Sequence, residues 1–261
     1  MINWLIATAL AAAPPVAAPL PADAQPAMFM VRDADTTIYL FGTFHALDSR
    51  TQWFNKDLRD AFDQSNELVL ETLIPEGPVV PGRRGLPIRA PSVTPSASFL
   101  ATTRMAIDAG QAQGMQVSNG ADMILRHAAE QEGKPVEGLE TLEFQLNMFN
   151  SMPAASRSQP GDTPAAPPIQ SLSKTMVQME SAWKQGDQKV FVDMLGQLQQ
   201  ASPDTYRVMF TERNARWADW IAARMRTPGT VFVAVGAGHL AGKDSLLVRL
   251  AEKGIGSTRV E

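Results

Sequence analysis

The sequence predicts an α/β fold: a mixed central β-sheet flanked by helices, with a site at the C-terminal ends of its strands. Three observations lead there. The apolar, β-prone run Thr37-Ile38-Tyr39-Leu40-Phe41 meets Gly42, and His45 follows three residues on. The pattern recurs late in the chain, where Val231-Phe232-Val233-Ala234-Val235 meets Gly236 and His239 follows. Both runs read as core strands that turn at a residue with no Cβ to clash. Between them, short apolar runs alternate with stretches that carry an apolar face at helical spacing. The chain has only 3 histidines in 261 residues, so two in one context are hard to attribute to chance. In one parallel sheet, both imidazoles would lie at the carboxyl edge, where open α/β sheets bind ligands.

Composition narrows the chemistry. The hydrophobic share is 44 % and the charged share 19 %, which leaves room for a sizeable core. A net charge of −4 with no Lys or Arg block argues against nucleic acid as a partner. With no cysteine there is no disulfide and no thiolate ligand, so any metal is held by His, Asp and Glu.

Residues 4–13 form an apolar run of signal-peptide length, too short to span a bilayer. Ala22-Asp23-Ala24 then offers an A-x-A-like cleavage site. Residues 1–24 are expected to be a signal peptide or a disordered Ala/Pro leader, although no Lys or Arg precedes Arg32. The mature chain, residues 25–261, is expected to be one periplasmic or secreted domain without a transmembrane segment.

Residues 28–31 and 37–41 read as a hairpin around Asp33-Ala34-Asp35. Residues 54–65 read as a helix with Phe54, Leu58, Ala61 and Phe62 on one face. Leu68-Val69-Leu70 is a short buried strand that ends on Glu71; this glutamate is either a surface charge or a site residue, and its strand-end position favours the site. Residues 75–96 are rich in Pro and Gly and read as a long loop, a lid or an insert. Helices are predicted over 98–112 and 121–132. Asp122 opens the second, where a first-turn carboxylate suits the helix dipole, and His127 reads as a surface residue.

Lys134-Pro135-Val136 begins a third strand, with Glu140 just past it, and 141–150 is helical. Residues 156–168 read as a Pro/Ser/Gly linker, followed by amphipathic helices over 171–184 and 188–199. Residues 203–225 form the longest predicted helix. Tyr206, Phe210, Arg213, Trp217 and Trp220 fall on one face, which predicts that Arg213 is buried against an anionic partner rather than snorkelling to solvent. A helix over 246–253 and a strand over 257–261 close the chain.

His45, Glu71, Glu140 and His239 therefore fall just past predicted strand ends. Two imidazoles and a carboxylate suit a divalent ion of the Mn, Fe, Co or Zn type and leave coordination positions open. Such a site acidifies bound water and polarises a carbonyl. A second carboxylate serves as general base or orients a histidine.

Several stretches together resemble the TraB/PrgY/GumN family: Tyr-Leu-Phe-Gly-Thr-Phe-His, Glu-Leu-Val-Leu-Glu, Gly-Lys-Pro-Val-Glu-Gly-Leu-Glu-Thr, Glu-Arg-Asn-Ala-Arg-Trp and Val-Gly-Ala-Gly-His-Leu-Ala-Gly. The resemblance runs from about residue 28 to 261, and the Pro-rich stretch 75–96 departs from it. It implies a layout like that of the erythromycin-esterase and ChaN-like proteins. It also implies an activity like that of the Tiki proteases, divalent-metal-dependent peptidases with two G-x-x-H motifs and an essential glutamate. Carried over, it puts the metal-site histidines at His45 and His239 and the essential glutamate at Glu71, with Glu140, Arg213 and Asn214 at further recurrent positions. The expectation is a metal held by His45, Glu71 and His239, and catalysis by Glu71, Glu140 and Arg213. The function expected is a metal-dependent hydrolase, a peptidase acting on a peptide or small-molecule substrate. The alternative is a non-catalytic envelope protein that binds a peptide or a small, haem-like ligand in the same cleft.

Overall fold

The computed structural model describes residues 24–74, 97–151 and 169–260. The leader through residue 23, the Pro-rich stretch 75–96 and the linker 156–168 lie outside the described residues. Ala24, assigned above to the leader, is buried; its amide donates to the Gln52 carbonyl at 3.1 Å and its own carbonyl accepts from Asn55 Nδ2 at 3.0 Å.

Among the described residues, β1 (Met28–Arg32), β2 (Thr36–Thr43), β3 (Glu67–Thr72), β4 (Val136–Glu140), β5 (Gly229–Gly236) and β6 (Thr258–Val260) form one sheet. Their order is β4-β3-β5-β2-β1-β6. The first four in that order run parallel, and β1 and β6 add antiparallel at one edge, so the sheet is mixed as expected. The β1–β2 hairpin is held by Asp33 Oδ1, which accepts from the amides of Asp35 at 3.2 Å and Thr36 at 2.9 Å. The two runs that end in a histidine turn are β2 and β5, which lie side by side in the middle of the sheet. A central parallel strand is covered on both faces, which explains why these runs are apolar without alternation.

On one face, α1 (Lys56–Gln64), α3 (Ala121–Gln131), α5 (Ile169–Lys184) and α6 (Lys189–Ala201) bring Phe62, Leu125, Trp183 and Phe191 onto Phe41, Leu70 and Phe232. On the other, α8 (Glu212–Arg224) and α9 (Leu246–Glu252) set Trp217, Ile221 and Leu250 against Ile38, Leu40, Val69 and Val233. The remaining helices are α2 (Ala97–Gln111), which packs on α5, α4 (Leu142–Ser151) and the single turn α7 (Pro203–Tyr206). Among the described residues, no helix is long and apolar enough to cross a membrane.

Two expectations need correction. The helix expected from residue 54 starts at Lys56, because the Asn55 side chain accepts from the Leu58 amide at 3.0 Å and caps it. The long helix expected over 203–225 is interrupted: α7 passes into a π-helical turn, Arg207–Thr211, before α8 begins. A π turn inserts one extra residue into the helical repeat. Here it lies between Tyr206 and Arg213 and sets Phe210 beside the ring of His239.

Candidate functional site

The parallel pairing of β2 and β5 is in register, with Gly42 opposite Val235 and Thr43 opposite Gly236, so the two histidine turns leave the sheet side by side. The second turn crosses closely over the first strand. A Cβ on Gly42 would stand 3.1 Å from the Cα of Ala237, so this crossing favours glycine. The second turn is a short 3-10 helix, Ala237–Leu240, and it carries His239 inward to 5 % exposure. Phe210 and Trp217 flank the His239 ring, with centroids at 4.8 and 4.5 Å.

Glu71 and Glu140 differ slightly from expectation. They lie within the ends of β3 and β4 rather than beyond them, and Thr72 pairs with Glu140 across the two strands. Glu71 is held at both oxygens. Oε1 accepts from the Gly236 amide at 2.6 Å, and Oε2 accepts from Arg213 Nη2 at 2.7 Å. The same Nη2 lies 2.8 Å from Glu140 Oε2, and Arg213 Nε donates to both Glu140 oxygens at 3.1 and 3.0 Å. Arg213 is buried as predicted, with its guanidinium 4.5 Å over the Trp217 ring. Arg216, one turn on, reaches Glu140 Oε1 at 3.3 Å from the rim. A buried guanidinium is tolerable only with such pairing.

The structure thus brings His45, Glu71, His239, Glu140 and Arg213 together. Glu71 Oε1 is 3.8 Å from His239 Nε2. A Cβ on Gly236 would lie 3.1 Å from both Glu71 Oε1 and His45 Nε2, so the glycine keeps open the space these two atoms face. His45 is the open side of the cluster, with its side chain 60 % exposed. Residues of the loop after His45 and the start of α3, among them Thr51, Trp53, Asn119 and Ile124, line a separate open cavity of about 500 Å³, and none of the five clustered side chains lines it. His127, read as a surface residue, is half-buried midway along α3.

Each imidazole has a partner on Nδ1. His45 Nδ1 is 3.2 Å from Asp122 Oδ1, and His239 Nδ1 is 2.7 Å from Asn214 Oδ1. Arg213 Nη1, which can only donate, is 3.3 Å from His239 Nε2. His239 Nε2 is therefore the acceptor, and Nδ1–H donates to Asn214, whose Nδ2 in turn donates to the Asp244 carbonyl at 2.8 Å. Asp122 was read from the sequence only as a helix-start carboxylate. Its contact with His45 depends on how distant segments meet, which local pattern does not carry.

The electrostatics separate the two histidines. Burial holds His239 down to about 3, with the charges of Arg213 and His45 acting in the same direction against the pull of Glu71, so it is neutral. For His45, partial desolvation of the ring face turned toward the cluster works against charge, although the side chain is mostly open to solvent. The hydrogen bond and charge of Asp122 with the charge of Glu71 outweigh it and raise His45 to about 9. For Glu71 burial is upward, and the positive groups around it, His239 when protonated, Arg213 and His45, with the Gly236 amide, bring it down to about 2.

The donor set suits a divalent ion in kind: two imidazole nitrogens with their Nδ1 atoms already engaged, one carboxylate oxygen, and a glycine that leaves space between two of them. The arrangement is less complete. Among the described residues, no three His, Asp or Glu side chains stand ready as a metal-holding group. His239 Nε2 is engaged by Arg213, so this nitrogen becomes a ligand only if the guanidinium gives up that contact.

Comparison with known proteins by sequence reaches the level of the family. Two curated relatives, the uncharacterized protein YbaP of Escherichia coli (strain K12) and that of Shigella flexneri, are each 32 % identical over 145 residues. Each match covers 54 % of this chain and 52 % of the relative, so the chain spans about half the length of the curated relatives it matches. No solved structure is a significant match. The model of the TraB/PrgY/gumN family matches residues 27–78 and 82–259, which takes in both histidine turns, β3 with Glu71, β4 with Glu140 and all of α8, and the chain belongs to that family.

Proposed function

We propose that this protein is a divalent-metal-dependent hydrolase, a peptidase acting on an exposed peptide segment or a comparable small molecule. The observation that carries this reading is the setting of Glu71. One oxygen faces the two imidazoles, and the other is fixed by Arg213 and cannot swing away. His45 and Glu71 would hold the ion across the space kept by Gly236, with His239 as the third ligand once Arg213 Nη1 releases it. The chemistry such an ion supplies is polarisation of a carbonyl and a lowered pKa for bound water. Arg213 keeps Glu71 ionised and adds fixed positive charge where negative charge develops during hydrolysis. Glu140 balances that guanidinium from below. Substrate reaches the centre past His45, the exposed side chain of the cluster. The parallel strands deliver these groups to one edge of the sheet, which supports an erythromycin-esterase/ChaN-like arrangement. The apolar run and A-x-A site near the N-terminus support action in the periplasm or outside the cell.

One observation favours a second reading. The contact between Arg213 and His239 Nε2 is complete without an ion, as suits a cleft that binds a peptide or small ligand and does not turn it over. Metal analysis of the purified chain, paired with a peptide-library digest with and without chelator, tests the two. Chelator-sensitive cleavage supports the hydrolase. Tight peptide binding with no cleavage at any metal loading supports the binder.

A further inference from the structure

We propose that Asp122 is a positioning residue that fixes the ring of His45, so that Nε2 is presented to Glu71 and to the space beside Gly236. The inference deepens the hydrolase reading above and rests on it for its functional meaning. Its geometry stands independently.

The segment carrying Asp122 is attached to the His45 turn by backbone. Ala121 N–H donates to the Phe44 carbonyl at 2.9 Å, on the residue before His45. Leu47 and Gln116 exchange a pair of bonds, Gln116 N–H to Leu47 O at 2.9 Å and Leu47 N–H to Gln116 O at 3.2 Å. Gly120, at the start of α3, lies so close that a Cβ there would run into the His45 carbonyl. Three backbone hydrogen bonds and one obligatory glycine thus fix the first turn of α3 against the turn that carries His45.

Within this frame the Asp122 carboxylate is used on His45. Oδ1 is 3.2 Å from Nδ1, and among the described residues the carboxylate accepts no bond from an amide of its own helix. A first-turn carboxylate suits the helix dipole without any capping bond; what ties this one to His45 is its aim at Nδ1. His45 is 60 % exposed, so little packing holds the ring, whereas His239 lies between two aromatic rings. The exposed imidazole is the one that needs a polar partner to fix its rotation.

The two partners also differ in charge. Asn214 offers His239 a neutral carbonyl, and Asp122 offers His45 a carboxylate. An anionic partner on Nδ1 makes the opposite nitrogen a stronger donor to a metal ion or a proton. The charged partner thus stands on the imidazole at the open side and the neutral one on the imidazole inside.

The test is nitrogen-15 NMR of the histidine rings in the metal-free protein, with the His45 signal assigned by its loss in His45→Gln. In wild type, His45 should show a hydrogen-bonded Nδ1–H. In Asp122→Ala that signal should move toward an unrestrained imidazole, and the His239 signals should stay put. Asp122→Asn keeps an acceptor without the charge and should hold the ring partly in place; it also serves if Asp122→Ala fails to fold. Binding of Mn²⁺ or Zn²⁺ by calorimetry should weaken about 10–100-fold in Asp122→Ala, with a smaller loss in Asp122→Asn. If the wild type proves to have no hydrolase activity, the ring signals still decide the matter. Unchanged His45 signals in both variants, whatever happens to their melting temperature, would overturn the proposal and leave Asp122 as a helix-start carboxylate.

Discussion

Arg213 Nη2 donates to Glu71 Oε2 at 2.7 Å, joining α8 to the end of β3 through side chains only 3 % and 15 % exposed. The same guanidinium also serves Glu140 and His239. It is therefore both the counter-charge of two buried carboxylates and the group that now holds the inner imidazole, and the first prediction concerns its loss.

Arg213→Ala should destabilise the fold by about 3–5 kcal/mol, because removing one partner leaves the other charges buried and unpaired. Urea unfolding followed by fluorescence measures this. Arg213→Lys should recover only part of the loss, since an ammonium cannot reproduce the fork that spans two carboxylates and an imidazole. A loss below about 1 kcal/mol for the alanine variant would match an exposed pair and would sink the buried-clamp account.

Gly236→Ala should weaken metal binding and hydrolysis strongly while leaving the sheet intact. The new methyl would stand 3.1 Å from both Glu71 Oε1 and His45 Nε2 and would take up the space between them. The backbone there has a negative φ of −52°, so alanine itself fits the turn. Calorimetric titration with Mn²⁺ or Zn²⁺, set beside a melting curve, separates the two effects. Undiminished metal affinity in this variant would mean that the ion, if one binds, sits elsewhere.

His239→Ala and Glu71→Gln should each abolish chelator-sensitive peptide cleavage without preventing folding. Phe232→Ala is the contrast. That ring is fully buried among Phe41, Phe62 and Tyr39, so its loss should cost about 3–5 kcal/mol without touching the chemistry directly. Cleavage, bound metal and unfolding measured across the three variants give the comparison. Full activity in His239→Ala would make the second histidine turn structural.

The metal-free protein should lose stability in two stages as pH falls. His239 goes from its ordinary 6.5 to about 3 on folding, and Glu71 from 4.5 to about 2. Both are lowered, so the unfolded chain takes up protons first and stability drops as protons are added. The loss should begin below about pH 6.5 from His239 and steepen below about 4.5 as Glu71 joins. His45, raised to about 9, acts in the opposite sense: its contribution is full below 6.5 and gone above 9. That limb should be shallow, because the ring is 60 % exposed and solvent screens it. Urea midpoints of wild type and His239→Asn across this range provide the check, and an unchanged acid limb in the variant would contradict the neutral, buried His239.

Much of the frame was legible in the sequence because its signals are local. The runs that became β2 and β5 are apolar and end at glycine, so strand, turn and histidine could be read without knowing their neighbours. Arg213 was legible for a similar reason: a charge within an aromatic stripe requires burial with a partner, and Glu71 and Glu140 were the acids available. What stayed hidden depends on contacts between distant segments. Asp122 at the start of a helix has the same local sequence whether it serves the helix or a ring, and only the backbone bonds between the His45 turn and residues 116–121 decide. The engagement of His239 Nε2 by Arg213, and the π turn that precedes α8, leave no trace in residue spacing.

The strand order also bears on how the protein is made. β5, one of the last strands to leave the ribosome, is inserted between β2 and β3, which are among the first. Until it arrives, those two strands face each other across a gap with unpaired edges, a state prone to wrong partners. His45 and Glu71 are synthesised early, but the space beside Gly236 and the inner imidazole come only with β5 and its turn. The candidate site is therefore incomplete until its central strand is in place, and its assembly and the filling of the gap between β2 and β3 become a single late event.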